Sequence, residues 1–264
     1  MPRADYDGWM ASAYDAGRRL APGAFEAWGA AARPFLGPRG DGPVLDLGAG
    51  TGRFSGHLAE WSSAVVVAVE PAVAMATQAK AKDMAGVDVV AGAAESLPLR
   101  DRCVRAVWLS QVVHHVDDLD TAALELRRVM QPGGHVLIRG ELRQDGVVGA
   151  SSSNVIYRYF PAAGRVADTF PGRRRVLDAF GAAGFVGVRS TTVSQVTAAS
   201  LRELQRRIAT RADSTLAALD DDTFAAGLEA LAREVRAEAS PTPVVDRLDF
   251  VVLRLPIAQD PSDT

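Results

Sequence analysis

Between Val44 and Phe54 the chain reads Val-Leu-Asp-Leu-Gly-Ala-Gly-Thr-Gly-Arg-Phe. A short apolar run enters three glycines at alternate positions, Gly48, Gly50 and Gly52, and a helical pattern follows. Glycine adopts left-handed backbone without steric cost and lets another molecule lie against the main chain. The segment therefore predicts a buried strand, a sharp ligand-receiving turn and a helix. The same alternation continues to Arg139, with strands predicted over 44–48, 65–70, 88–91, 104–109 and 134–139 and helices near 52–60, 72–81 and 119–130. Strands apolar on both faces and separated by helices belong to a parallel sheet covered on both sides. The expected fold is a doubly wound α/β sheet.

The flanks extend this reading. Residues 1–43 carry an aromatic-rich helical pattern that ends in the turn-rich run Gly37 to Pro43. Residues 141–171 show little periodicity and an aromatic cluster at Tyr157, Tyr159 and Phe160. A helix is predicted over 173–183, closed by Gly184, then a strand over 185–193, two or three helices within 199–239 and a strand over 245–255. The last two strands are expected as the sixth and seventh of the same sheet, which makes residues 1–264 one domain. Within it, 1–43 are lid helices, 44–140 a cofactor-binding core, and 141–171 with 197–243 an acceptor-side lid and insert.

Composition narrows the function. The chain is 48% hydrophobic and 23% charged, near the averages of roughly 45–50% and about 25% for soluble domains. A net charge of −3 offers no clustered positive field for a nucleic-acid backbone. The longest strongly apolar run, Ala64 to Val69, is far short of the ~20 residues of a membrane span. Arg3, Asp5, Asp7, Asp15, Arg18 and Arg19 interrupt the first twenty residues, which do not read as a signal peptide. Cys103, the single cysteine, has no partner for an internal disulfide and is expected to be small core filling. The histidines, cysteine and acids show no metal-ligand spacing. A cytoplasmic monomer or homodimer with no metal, no nucleic-acid partner and no membrane partner is expected.

Spacing separates two cofactors. A dinucleotide turn wants Gly-x-Gly-x-x-Gly around a pyrophosphate, whereas here the third glycine comes one residue early and Arg53 holds its place. Asp46 precedes the turn by two residues, and a carboxylate there repels a pyrophosphate but suits a cofactor bearing ammonium and sulfonium charge. Glu70-Pro71 ends the second strand, where a carboxylate can accept from both hydroxyls of a ribose. Nicotinamide enzymes use the same device. Met75 follows on the next helix, placed either to cover an adenine or to pack in the core.

The glycine turn resembles the Asp-x-Gly-x-Gly-x-Gly motif of class I S-adenosylmethionine-dependent methyltransferases. Gly92-Ala93-Ala94-Glu95-Ser96-Leu97-Pro98 resembles the Gly-Asp-Ala-Glu-x-Leu-Pro segment of the small-molecule methyltransferases related to ubiquinone and menaquinone biosynthesis. Ser110-Gln111-Val112-Val113-His114-His115 and Leu126 to Ile138, with its Pro132-Gly133-Gly134 turn, are similar to further segments of that family. These motifs cover about residues 40–140, and the resemblance implies S-adenosylmethionine as donor and S-adenosylhomocysteine as product. It implies cofactor contacts from Asp46, Gly48, Ala49, Gly50, Gly52, Glu70, Pro71, Met75, Ala93, Ala94, Glu95, Ser110, Gln111 and His115. Tyr14 and Arg18 resemble the family's lid residues that approach the cofactor carboxylate. Ala93 departs from the pattern, since the family has an aspartate there for the adenine amine. That contact is lost, met by water or taken over by Glu95.

Methyl transfer from a sulfonium chiefly needs alignment of donor and acceptor and exclusion of water. An acceptor that must lose a proton is helped by a general base, and His114 and His115 are the strand-end groups expected to titrate near neutrality. Tyr6, Trp9, Tyr157, Tyr159 and Phe160 are candidates to stack on an acceptor, or else to dock their own helices on a core. The expected function is O-, N- or C-methylation of a small molecule, an aromatic or indole-type specialised metabolite among the options. The alternative is an S-adenosylmethionine-binding protein that no longer methylates, such as a cyclase or a binding module.

Overall fold

The computed structural model describes residues 6–37, 42–143 and 154–257. Seven strands, β1 (Val44–Leu47), β2 (Val66–Glu70), β3 (Val87–Ala91), β4 (Val104–Ser110), β5 (Met130–Gly140), β6 (Val186–Ala198) and β7 (Val244–Arg254), form one sheet in the order β3-β2-β1-β4-β5-β7-β6. The pairs β1–β2, β1–β4, β2–β3 and β4–β5 are parallel, and β5–β7 is antiparallel. This is the expected mostly parallel, Rossmann-like sheet. Every residue of β1 and nearly every residue of β4 is buried, which explains their unbroken apolar runs.

The helices in chain order are α1 (Trp9–Gly17), α2 (Pro22–Ala32), α3 (Ser55–Ser62), α4 (Val73–Ala81), α5 (Leu119–Val129), α6 (Ile156–Tyr159), α7 (Pro161–Ala167), α8 (Arg173–Ala182), α9 (Leu201–Ile208), α10 (Ser214–Ala217) and α11 (Asp221–Ala237). The chain forms two compact units. A core unit comprises 29–140, 174–191 and 249–264, and an insert unit comprises 1–28, 141–173 and 192–248.

In the core unit, α5 shows how the sequence builds an element. Asp118 caps it by accepting from the backbone N–H groups of Asp120 and Thr121, both at 3.1 Å. Leu119, Ala122, Ala123, Leu126 and Val129 recur at helical spacing and are buried. The helix then stops at Val129, earlier than expected, because Pro132 biases the residue before it toward extended backbone. Gly133, at φ +86°, makes the reversal. Cys103, expected in the core, is half-buried and borders an open depression with Gly42, Arg100 and Gln131. It sits just before β4, at the amino ends of the parallel strands.

The insert unit has its own core of Phe160, Leu204, Ile208, Leu216, Phe224, Leu231 and Val235. Phe160 and Phe224 lie 5.6 Å apart between ring centroids. Gly227 lets α11 approach, since a Cβ there would come 2.3 Å from the Phe160 ring. Ser200 caps α9 through the Glu203 N–H, and Asp220 caps α11 through the Thr223 N–H. The segment 141–171, which shows little periodicity in sequence, contains α6 and α7. Helices of four and seven residues are too short to show a period. β6 also runs five residues beyond its expected end, to Ala198.

Candidate cofactor and acceptor sites

The order of the parallel strands reverses between β1 and β4, and ligands of open α/β sheets bind at the carboxyl ends on either side of such a switch. In the core unit that place holds the glycine turn. Gly48, Gly50 and Gly52 have φ of +67°, +58° and +78°. A Cβ on Gly48 would lie 2.5 Å from Val112 of the loop after β4, so this glycine serves a close approach as well as a turn. The backbone of Gly48 and Ala49 bonds to the Val69 carbonyl at 2.8 and 3.2 Å, and α3 begins three residues later than expected, at Ser55.

Two carboxylates support the turn. Asp46 is buried and accepts from the Ser55 hydroxyl at 2.7 Å. Burial pushes its carboxyl up to about 7, opposed by the Ser55 bond and reinforced by the charge of Glu70. Glu70 accepts from the Gly50 N–H at 2.8 Å through one oxygen and from the Ala72 N–H, beyond Pro71, at 2.9 Å through the other. A carboxylate oxygen carries two lone pairs, so this clamp fixes the side chain and leaves capacity for ribose hydroxyls. These residues fit an adenosine-bearing cofactor. Met75, read from sequence as either covering an adenine or packing in the core, is 1% exposed and packs in the core.

Ala93 and Ser96 form an isolated bridge that shapes the loop after β3 around the buried Ala94. Glu95 accepts from the Asp117 and Asp118 N–H groups at 2.9 and 3.3 Å. It holds this loop to the one after β4. After β4, Ser110 accepts from Arg139 at 3.0 Å, and Gln111 stands at φ +58° with its N–H on the Arg139 carbonyl at 2.7 Å. His114 and His115 lie in a tight turn with ring centroids 4.1 Å apart. Arg139, buried on β5, was not anticipated from sequence.

The other candidates lie in the insert unit. Phe160 and Tyr159 are 1% and 6% exposed and fill its core, so helix docking, rather than acceptor stacking, accounts for them. Trp9 opens α1, and its side chain lies outside the described residues. Tyr6, Tyr14, Arg18 and Tyr157 join a polar cluster. Tyr6 meets Tyr14 edge-on at 6.4 Å. Arg18 pairs with Asp213, which also accepts from the Thr215 N–H at 2.9 Å. Burial opposes the charge of Asp213, but Arg18 and Thr215 hold it below the usual carboxylate range.

Glu141 belongs to the same cluster and accepts from Asn154 Nδ2 at 2.7 Å. Burial, aided by the charges of Asp213 and Asp246, pushes its carboxyl up to about 7 against the opposing effects of Asn154 and Arg18. It corrects the expectation that histidines alone titrate near neutrality at the strand ends. Its place directly after β5 was the available signal, but an isolated glutamate in sequence gives no sign of its burial.

Residues 45–138 match the protein family described as Methyltransferase domain. Over 100 residues the chain is 34% identical to the ubiquinone/menaquinone biosynthesis C-methyltransferase of Rubrivivax gelatinosus, covering 38% of this chain and 39% of that protein. The chain thus spans about two fifths of that relative. Geranyl diphosphate methyltransferase, solved in complex with S-adenosylmethionine, superposes with a TM-score of 0.56 at 17% identity, over 87% of this chain and 84% of that one. The [4+2]-cyclase SpnF superposes at 0.58 and 18% identity, over 92% and 85%. Residues 45–138 thus carry the chain's similarity to methyltransferase domains, and the superposed structures share its fold. No helix among the described residues is long and apolar enough to cross a membrane, and no group among them could hold a metal ion.

Proposed function

We propose that this chain transfers a methyl group from S-adenosylmethionine to a small-molecule acceptor. The observation that carries the reading is the Glu70 carboxylate, clamped by the Gly50 and Ala72 N–H groups beside three glycines of positive φ. In this reading Glu70 receives the ribose and the Gly48–Gly52 backbone lies against the cofactor. Ala94 offers its N–H to the adenine. The bound cofactor supplies an electrophilic methyl on a good leaving group. Ser110, Gln111, His114 and His115 line the acceptor side at the end of β4. The acceptor takes the methyl on oxygen, nitrogen or carbon.

A second reading rests on Ala93. Without a carboxylate for the adenine amine, the chain binds the cofactor and uses its charge or bulk without transferring the methyl. Losing one exposed hydrogen bond costs about 0.5–1.5 kcal/mol, which weakens binding without abolishing it. Thermal melting with S-adenosylmethionine, S-adenosylhomocysteine and NAD tests both readings, because a ligand of the native state raises the melting temperature. Stabilisation by the first two is expected, and stabilisation by NAD alone refutes both readings. Methyl-labelled donor then divides them: label appearing in an acceptor supports transfer, and none appearing despite tight donor binding supports the second.

A further inference from the structure

We propose that Arg128 and Glu125, three residues apart on α5, are positioning residues for the nucleobase of the cofactor, because they hold the backbone of residues 93–97 in place to receive it. This rests on the donor-binding part of the reading above, which both alternatives share. There the cofactor runs from the turn after β1 to Glu70 at the end of β2, so its base lies at the end of the next strand, β3. The loop leaving β3 starts from the same place, since the Gly92 N–H bonds to the Glu70 carbonyl at 3.3 Å. A Cβ on Gly92 would come 2.7 Å from Pro98 and 3.1 Å from Val69, so the loop closes tightly on itself and on β2. All of these groups belong to the core unit.

Residues 93–97 read Ala-Ala-Glu-Ser-Leu, a run with few side chains that could fix its position. Within it the Ser96 N–H bonds to the Ala93 carbonyl at 3.2 Å, and Glu95 is engaged by the Asp117 and Asp118 N–H groups. The other end is held by α5. Arg128 donates from Nε and Nη2 to the two oxygens of Glu125, both at 2.8 Å. It also donates to the Leu97 carbonyl at 3.0 Å, the Leu99 carbonyl at 2.8 Å and Asp101 at 2.7 Å. A guanidinium carries five N–H donors in a fixed fork, and all five are used here. Glu125 in turn accepts from the Leu97 N–H at 2.9 Å.

Both main-chain groups of Leu97 are therefore tied to one ion pair, three residues past Ala94. Charge-assisted bonds of this kind are stronger than neutral ones. A lysine, a point charge with three donors, cannot reproduce the fork. The ordered loop is the state that receives the base, and apparent affinity falls with the fraction of protein in the competent state. Loosening the clamp should weaken donor binding and leave the glycine turn intact.

The test uses the full chain, with calorimetric titration of S-adenosylhomocysteine and hydrogen exchange of the ligand-free protein read by mass spectrometry. Arg128→Ala should bind about 10-fold more weakly. Its residues 92–99 should exchange nearly unprotected, while residues 44–52 and 66–70 exchange as in the wild type. Arg128→Lys, which keeps the charge but not the fork, should recover only part of the affinity. Equal affinity in Arg128→Ala and the wild type overturns the proposal. Faster exchange spread over the whole core unit also overturns it, since a merely structural role predicts that pattern. Full recovery by Arg128→Lys does so too, because it assigns the effect to charge alone. If Arg128→Ala does not fold, Glu125→Gln carries the test. It keeps an acceptor for the Leu97 N–H but loses the ion pair, and should show the same local pattern with affinity about 3-fold weaker; unchanged affinity there overturns the proposal. Failure of the wild type to bind S-adenosylhomocysteine refutes instead the donor-binding reading itself.

Discussion

The core unit and the insert unit each gather carboxylates into a polar site, but they assemble them differently. In the core unit Asp46 and Glu70 end neighbouring strands, and their partners Gly50, Ser55 and Ala72 lie within 20 residues along the chain. In the insert unit Arg18 meets Asp213 across 195 positions, and Asp246 meets Thr197 across 49. The first arrangement is a local motif whose geometry follows from glycine placement. The second depends on the insert unit folding around its own core. Damage to the turn should therefore change donor binding first, whereas damage to the cluster should change stability first.

The largest effect is expected for Gly48→Val. A β-branched residue at φ +67° is strained, and its Cβ would press into Val112 at 2.5 Å. A loss of about 3 kcal/mol or more should appear in denaturant unfolding, together with loss of donor binding by calorimetry. Arg18→Met should cost about 1–3 kcal/mol, because it leaves the Asp213 carboxylate, 15% exposed, without its charged hydrogen-bond donor. Its donor affinity should change less than that of Gly48→Val. The reverse order would merge the two sites into one.

The buried Asp46 should give the stability a pH dependence. Its folded value of about 7 exceeds the unfolded value of about 3.9, so its contribution is full below about pH 4 and is lost as pH rises through 7. Asp46→Asn removes that titration and keeps an acceptor for Ser55. Melting curves should show the variant gaining on the parent chain between about pH 4 and 8. A constant offset over that range would mean that Asp46 titrates normally.

The fold was legible where burial and sequence pattern coincide. Strands β1 to β4 begin and end within a residue or two of the expected limits, and β1 and β4, which are central and buried, show the continuous apolar runs that mark such strands. β6 was read short because its first half is exposed, Val186 and Val188 included, while its buried end carries Gln195 and Thr197. Neither half alternates as a half-buried strand does. Glu70 and the glycine turn were legible because their partners are near in sequence. Glu141, Asn154, Asp213 and Asp246 were not, because only the folded insert brings them together. For Phe160 and Met75 the sequence left core packing and ligand contact both open, since residue type alone does not distinguish a large apolar side chain in a core from one beside a ligand.

The central claim, that the glycine turn and Glu70 hold S-adenosylmethionine, is tested most directly by calorimetric titration of the wild-type chain and Glu70→Ala with that cofactor. The account predicts saturable one-site binding to the wild type, competed by S-adenosylhomocysteine, and affinity about 10–100-fold weaker in the variant, which loses charged acceptors for the ribose. No binding to the folded wild type, or equal affinity in both, would contradict it.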